Sequence, residues 1–220
     1  RPGIGGGSPM LTIYGRRNSF NVQKVLWLVG ELGLDHAHVP LGGAFGGLDD
    51  PSFRLRNPHG RIPVVDDEGV TVWESHAILR YLAARHGGER FFPSDPAARS
   101  HPDRWMDWAQ STLQPAFIDG VFVAYYRTPE EKRDWPAIRA AIARCAIHYA
   151  FLDRWLVDRP FIAGDDLTLA DIPAGGMLYR YVELDIERPA LPNVEAWYAR
   201  LQERPAYRQH VMVPFADLKG

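Results

Sequence analysis

Apolar residues keep two different periods along this chain, and the shorter one stops part-way. Val22, Val25, Leu26, Val29 and Leu32 fall on one side of a 3.6-residue repeat, so this stretch predicts an amphipathic helix, and Gly33 ends it. Residues 10–14 ahead of it have strand character, and residues 36–41 read as a second strand by composition. The glycines at 42, 43, 46 and 47 predict a flexible loop that leads to a short helical turn at 51–56. Residues 62–65 and 70–73 are two short apolar strands around Asp66-Asp67-Glu68-Gly69, whose Asp and Gly content predicts a hairpin turn. Trp73, Ala77, Ile78, Tyr81 and Leu82 then mark one apolar face of a third helix. The order βαβ followed by ββα predicts a thioredoxin-like α/β domain.

Beyond His86 the sequence changes character. Gly87-Gly88, Pro93 and Pro96 make a natural linker, and no strand pattern follows it. Ile142, Ala146, Tyr149, Leu152 and Leu156 form one helical stripe; Val194, Trp197, Tyr198 and Leu201 form another, bracketed by Pro192 and Pro205. The fold class read from this is α/β plus all-α. Residues 10–87 form the first domain, 88–97 the linker and 98–220 an all-helical second domain. Residues 1–9 are Gly-rich, lack an apolar signal-peptide core and precede Met10, so they are expected to be a disordered extension or cloning remnant. There is no internal repeat.

Composition narrows the function classes. With 46% apolar and 24% charged residues the chain is an ordinary globular protein. A net charge of −2 and the lack of any Lys/Arg run remove the basic footprint that nucleic acid or an anionic membrane surface requires. The longest apolar stretches, such as residues 121–126, fall far short of the roughly 20 residues needed to span a bilayer, so a soluble protein is expected. The single cysteine, Cys145, has no partner for an internal disulfide and suits a reducing cytoplasm. His36 and His38 alternate as a strand pair of metal ligands would, but no third ligand accompanies them, and no metal is expected.

The candidate chemistry lies in the first domain. Pro63 has no N–H for a sheet, so the N–H and C=O of Ile62 before it are left free for an extended ligand. Ser75 stands at a helix N-terminus, where exposed N–H groups and the helix dipole favour a carboxylate, and Glu74 beside it suits an ammonium. A ligand with an amino-acid head and a peptide-like middle satisfies both halves. The structural alternative for Glu74 and Ser75 is an ordinary helix start. Thr168-Leu169-Ala170-Asp171 fits a capping box with Leu167 and Ile172 as its staple, a purely structural motif.

These residues resemble the glutathione transferase family. The match extends upstream through Leu11-Thr12-Ile13-Tyr14-Gly15-Arg16-Arg17-Asn18-Ser19-Phe20-Asn21-Val22-Gln23-Lys24-Val25 and downstream through Gly164-Asp165-Asp166-Leu167-Thr168-Leu169-Ala170-Asp171-Ile172-Pro173. In this order and at these intervals the motifs are a strong match, covering the chain from about Met10 onward, and they look most like the bacterial, theta-like branch. The resemblance implies a cytoplasmic detoxification enzyme that takes glutathione as cosubstrate, stabilises its thiolate and conjugates it to a small hydrophobic electrophile. It implies Ser19 as the thiol-contacting residue, with Asn18 and Tyr14 as alternatives; a helix cap is the structural reading of Ser19. It also implies a cis Ile62–Pro63 bond, and it brings His59 and Arg61 towards the glycine carboxylate of glutathione, with Arg61 replacing the more frequent glutamine. Asp103 would reach the ligand's amino group from the opposite subunit of a homodimer, or be a solvated helix residue. Arg16, Trp105, Trp108 and Phe117 would lie at the electrophile, although most such aromatics are expected to be core. Two other readings share the fold: a glutathione-dependent disulfide or peroxide reductase, and a non-enzymatic interaction module. The lack of cysteine between Tyr14 and Val25 lowers the odds of the cysteine-bearing isomerase and dehydroascorbate-reducing branches.

Overall fold

Leu11 and Ile13 are buried while Thr12 and Tyr14 are partly exposed, the alternation of a strand with one face on a helix layer. This strand, β1 (Leu11–Tyr14), opens the computed structural model, which describes residues 11–220. The expectations for residues 1–9 and for a strand start at Met10 lie outside the described residues. Helix α1 (Phe20–Leu32) crosses over to β2 (His36–Val39), parallel to β1. Strand β3 (Val64–Asp67) runs antiparallel to β1, and β4 (Val70–Trp73) antiparallel to β3, giving the order β2-β1-β3-β4. The predicted thioredoxin-like layout is present.

Local chemistry explains where the elements stop. Gly33, in the left-handed region at φ 63°, closes α1 with a Schellman pair, Gly33 N–H to the Gly30 carbonyl at 3.2 Å and Leu34 N–H to the Val29 carbonyl at 3.1 Å. β2 ends at Val39, two residues short of the predicted Leu41, because Pro40 has no N–H to continue the ladder. The hairpin also differs from the sequence expectation. β3 starts at Val64 and continues through Asp66 and Asp67, so the turn shrinks to Glu68-Gly69, both at positive φ (52° and 86°) as in the tight hairpin turns that match strand twist. Asp67 can be buried in a strand because the Tyr81 hydroxyl donates to it at 3.0 Å and His86 Nε2 lies 3.0 Å away, both on α3 (Ser75–His86).

The expected linker contains a short helix, α4 (Gly88–Phe91), before α5 (Pro96–Trp108) starts under an Asp95 cap, Ala98 N–H to Oδ2 at 2.9 Å. The chain then widens into π-helical segments, Ala109–Leu113 and Pro115–Arg127. Helices α6 (Trp135–Trp155), α7 (Asp171–Glu183), α8 (Pro192–Gln202) and α9 (Pro205–His210) complete the all-helical part; α2 (Pro51–Arg56) lies earlier, between β2 and β3.

Helix α1 shows how the two parts join. Its predicted stripe is buried from Val22 to Val29 and partly so at Leu32, and Trp27 and Leu28 on its other side are buried too, because it packs against α3 and also against α7 and α9. Gly175 on α7 allows this approach: a Cβ there would stand 2.9 Å from Leu201 and 3.0 Å from Trp27. The capping motif anchors α7. Fully buried Asp171 accepts from the backbone N–H groups of Ile162 (2.9 Å) and Thr168 (3.0 Å) and from Trp197 Nε1 (3.0 Å), and Thr168 Oγ1 accepts from Ala170 N–H at 3.2 Å. Among the described residues no helix is long and apolar enough to cross a membrane.

Candidate active site

A cavity of about 150 Å³ opens where the N-termini of α1 and α3 meet the first π-helical segment. His59, Arg61, Ile62, Glu74 and Ser75, all predicted, line it together, joined by Asn21, Asn57, Gln110 and Gln114, which sequence reasoning missed. The signal for Asn57 was its place after α2, where it works as a clamp. Buried, it accepts from His59 N–H at 3.0 Å and donates to the Arg61 carbonyl at 2.8 Å, so it fixes the loop that carries both residues. Gln110 and Gln114 stand on the second domain, and no pattern in the first predicts them.

The Ile62–Pro63 bond is cis. Among the described residues neither the N–H nor the C=O of Ile62 is hydrogen-bonded, so both remain available beside β3. Glu74 immediately precedes α3 at φ 72° and ψ 118°, a backbone state that non-glycine residues adopt only under constraint. Ser75 is buried, its Oγ 3.5 Å from Asn21 Oδ1, and the free N–H groups of the first turn of α3 begin there. Below them lies Lys24. Burial pushes its ammonium down to about 7, against which the Glu74 carboxylate pulls upward. Its Nζ sits 4.7 Å over the Phe20 ring. Among the described residues His76 has no partner on either ring nitrogen, and burial followed by the Lys24 charge holds it neutral, down to about 2.

The three candidates for the thiol differ in how far their side chains are committed. Asn18 is engaged twice: Arg16 Nη1 donates to its Oδ1 at 2.6 Å, and its Nδ2 donates to Asp217 at 2.5 Å. Tyr14 stacks under the Arg56 guanidinium, 5.1 Å from the ring centre. Ser19 occupies the N-cap of α1, yet its side chain makes no capping bond. Cys145 is buried, and burial pushes its thiol up to about 12, so it has no thiolate to offer.

Other predicted residues lie elsewhere. Of the aromatics expected at the electrophile or in the core, Trp105 packs against Trp108 (5.3 Å between centres), Phe151 (5.7 Å) and Trp155 (5.1 Å), while fully buried Phe117 meets Tyr181 at 5.5 Å. Trp105 and Phe117 belong to the core between the helices, and Trp108 is partly buried at its edge. Arg16 lines a neighbouring cleft. Asp103 is paired within its own chain, accepting from Arg80 Nε at 2.9 Å. His36 Nδ1 and His38 Nε2 face the carbonyls of Leu34 (3.0 Å) and Gly15 (2.6 Å), and among the described residues no cluster of three or more His, Cys, Asp or Glu could hold a metal.

The fold has known relatives. Residues 9–84 match the family model described as glutathione S-transferase, N-terminal domain, and residues 113–205 match that of the C-terminal domain. Glutathione S-transferase GstB of Escherichia coli (strain K12) is 39% identical over 207 residues, 93% of this chain and 99% of that protein. Among solved structures, the theta class enzyme of Xanthomonas axonopodis pv. citri with glutathione bound superposes with a TM-score of 0.88 at 45% identity, covering 94% of this chain and 99% of that one. A glutathione S-transferase from Pseudomonas fluorescens gives 0.78 at 28% identity, with 93% and 98% covered.

Proposed function

The chain belongs to the glutathione S-transferase family, and from that premise we propose that it binds glutathione in the cavity at the head of α3 and turns its thiol on a small electrophile. The observation that carries this is the convergence on one cavity of three complementary groups: the Glu74 carboxylate, the N-terminal turn of α3 at Ser75, and the unpaired backbone of Ile62. The γ-glutamyl ammonium pairs with Glu74, and its α-carboxylate lies on the Ser75 N–H at the positive end of the helix. The cysteinyl unit hydrogen-bonds to Ile62 as an added strand. His59 and Arg61 face the glycine carboxylate.

This leaves the sulfur towards Ser19, whose uncommitted hydroxyl donates to the thiolate. Lowering a thiol pKa from near 8.5 by about two units takes roughly 2.7 kcal/mol, which one charge-assisted hydrogen bond and the α1 dipole supply. The proton leaves to solvent; the sulfur lone pair forms the C–S bond and the leaving group departs with its electrons. We place the protein in a homodimer, supported by large apolar side chains left exposed on both parts, Phe45 at 62% and Ile147 at 66%. Replacing Glu74 with Ala tests the site. Retention on immobilised glutathione is expected to be lost while the fold is kept, and a variant retained as well as the parent would reject the assignment.

A further inference from the structure

On the other side of the Ser19 loop lies a cleft of about 360 Å³, large enough for a small molecule and lined by Arg16, Asn18 and Arg127 together with Asp217. Arg16 follows β1, and Arg127 ends the second π-helical segment. A third guanidinium, Arg180 of α7, supports the same loop from behind: its Nη2 donates to the Asn18 carbonyl at 2.6 Å, with Phe122 at 4.8 Å and Phe215 at 5.8 Å over its face. Three different elements therefore bring three arginines to the loop that carries Ser19.

Arg16 and Arg127 line the cleft together, and among the described residues neither they nor Arg180 hold a carboxylate within ion-pair distance, as is true of most arginines of this chain. One carboxylate, Asp217, acts on Arg16 and Arg180, but it accepts from the Asn18 amide instead of a guanidinium. Arg16 is made less basic by burial and then by Arg127; Arg180 is lowered to about 10 by burial, then by Arg16 and Arg127. Arg16, Arg127 and Lys219 thus share the cleft with one aspartate, Asp217, an arrangement that an anion relieves. In the reading above, both carboxylates of glutathione are occupied elsewhere, at Ser75 and at His59 with Arg61. The cluster is left for the second substrate.

We propose that the electrophile taken by this protein is itself an anion, a small molecule whose carboxylate or sulfonate is held by Arg16 and Arg127 over the Arg180 support, with its reactive carbon turned towards the glutathione sulfur. This rests on the preceding assignment of the glutathione cavity. The acid group stays ionised throughout; the thiolate attacks the carbon, the C–S bond forms and a halide leaves with the bonding pair. Guanidinium forks suit such an oxyanion because they donate two parallel hydrogen bonds.

A matched pair of electrophiles tests this: 4-chloro-3,5-dinitrobenzoate and its methyl ester, with each kcat/KM divided by the uncatalysed rate with glutathione. The parent protein is expected to prefer the acid at least tenfold, less so at high salt. R127M, at an exposed position, is expected to reduce that preference about tenfold, and R127K to keep part of it, since an ammonium holds the charge but not the fork. A parent without preference for the acid overturns the proposal. So does an R127M variant in which the ratio is unchanged, including one in which both rates fall together, since that places the arginines on the thiolate. Calorimetric binding of glutathione to the same samples separates the two layers: no binding means that the glutathione cavity is misassigned, whereas normal binding with a flat acid-to-ester ratio sinks the anionic electrophile alone.

Discussion

Ser19 and Asp171 are two polar residues whose roles rest on what their oxygens bond to. Ser19 stands at a helix N-cap without using its hydroxyl there, so removing that hydroxyl costs α1 little. If the hydroxyl serves the thiolate, Ser19→Ala loses one hydrogen bond to a charged group, about 1.5–3 kcal/mol, or roughly 10- to 150-fold in kcat. Steady-state kinetics should show that fall with a much smaller change in the KM for glutathione; unchanged turnover rejects the role. Asp171 is the reverse case, with every oxygen engaged and no contact with the cavity. Burial outweighs its three hydrogen bonds and pushes its carboxyl up to about 6 from 3.8. A raised acid favours the fold where both states are protonated, below about pH 4, and that contribution is lost as pH rises through 6, by at most about 3 kcal/mol. Denaturant titrations of the parent and Asp171→Asn at pH 4 to 7 should therefore show the parent losing stability relative to the variant over that window. A constant difference contradicts the buried-acid reading.

Among the elements, the start of α3 carries the clearest conflict between stability and binding. Glu74 holds a φ of 72° that glycine would adopt freely, at a residue whose side chain faces the candidate ligand. Glu74→Gly is thus expected to raise stability by about 1 kcal/mol while removing glutathione binding. A variant that gains nothing in thermal melting, or that still binds, contradicts that trade. The elements themselves were largely legible: α1, its glycine stop, the hairpin and the α7 cap follow from spacing and turn chemistry. The errors have tertiary causes. Asp66 and Asp67 read as turn residues, and it is Tyr81, Arg85 and His86 on another element that make Asp67 acceptable in a strand. The partners of Asp171 at Ile162 and Trp197 are likewise invisible to a motif that ends at four residues.

For the whole molecule, the candidate site is a product of how the two parts dock. α1 lies between sheet and helical layers, tied to the α8–α9 corner by the paired contacts of Glu31 with Arg204 Nε (2.8 Å) and Nη2 (2.6 Å). That docking brings Gln110 and Gln114 to the cavity and Arg127 and Arg180 to the Ser19 loop. None of these four carries a local signature, so the sequence pointed to lining residues on the first domain, though not to Asn21 and Asn57, and to none of the glutamines on the second. The aromatic residues behave as their size predicts, because Trp105 and Phe117 are buried as most such side chains are. The most direct test of the account is a calorimetric titration of the intact protein with glutathione. Saturable binding of one tripeptide per chain, absent when Glu74 is alanine, is the result expected; no binding heat, or the same affinity without Glu74, would contradict it.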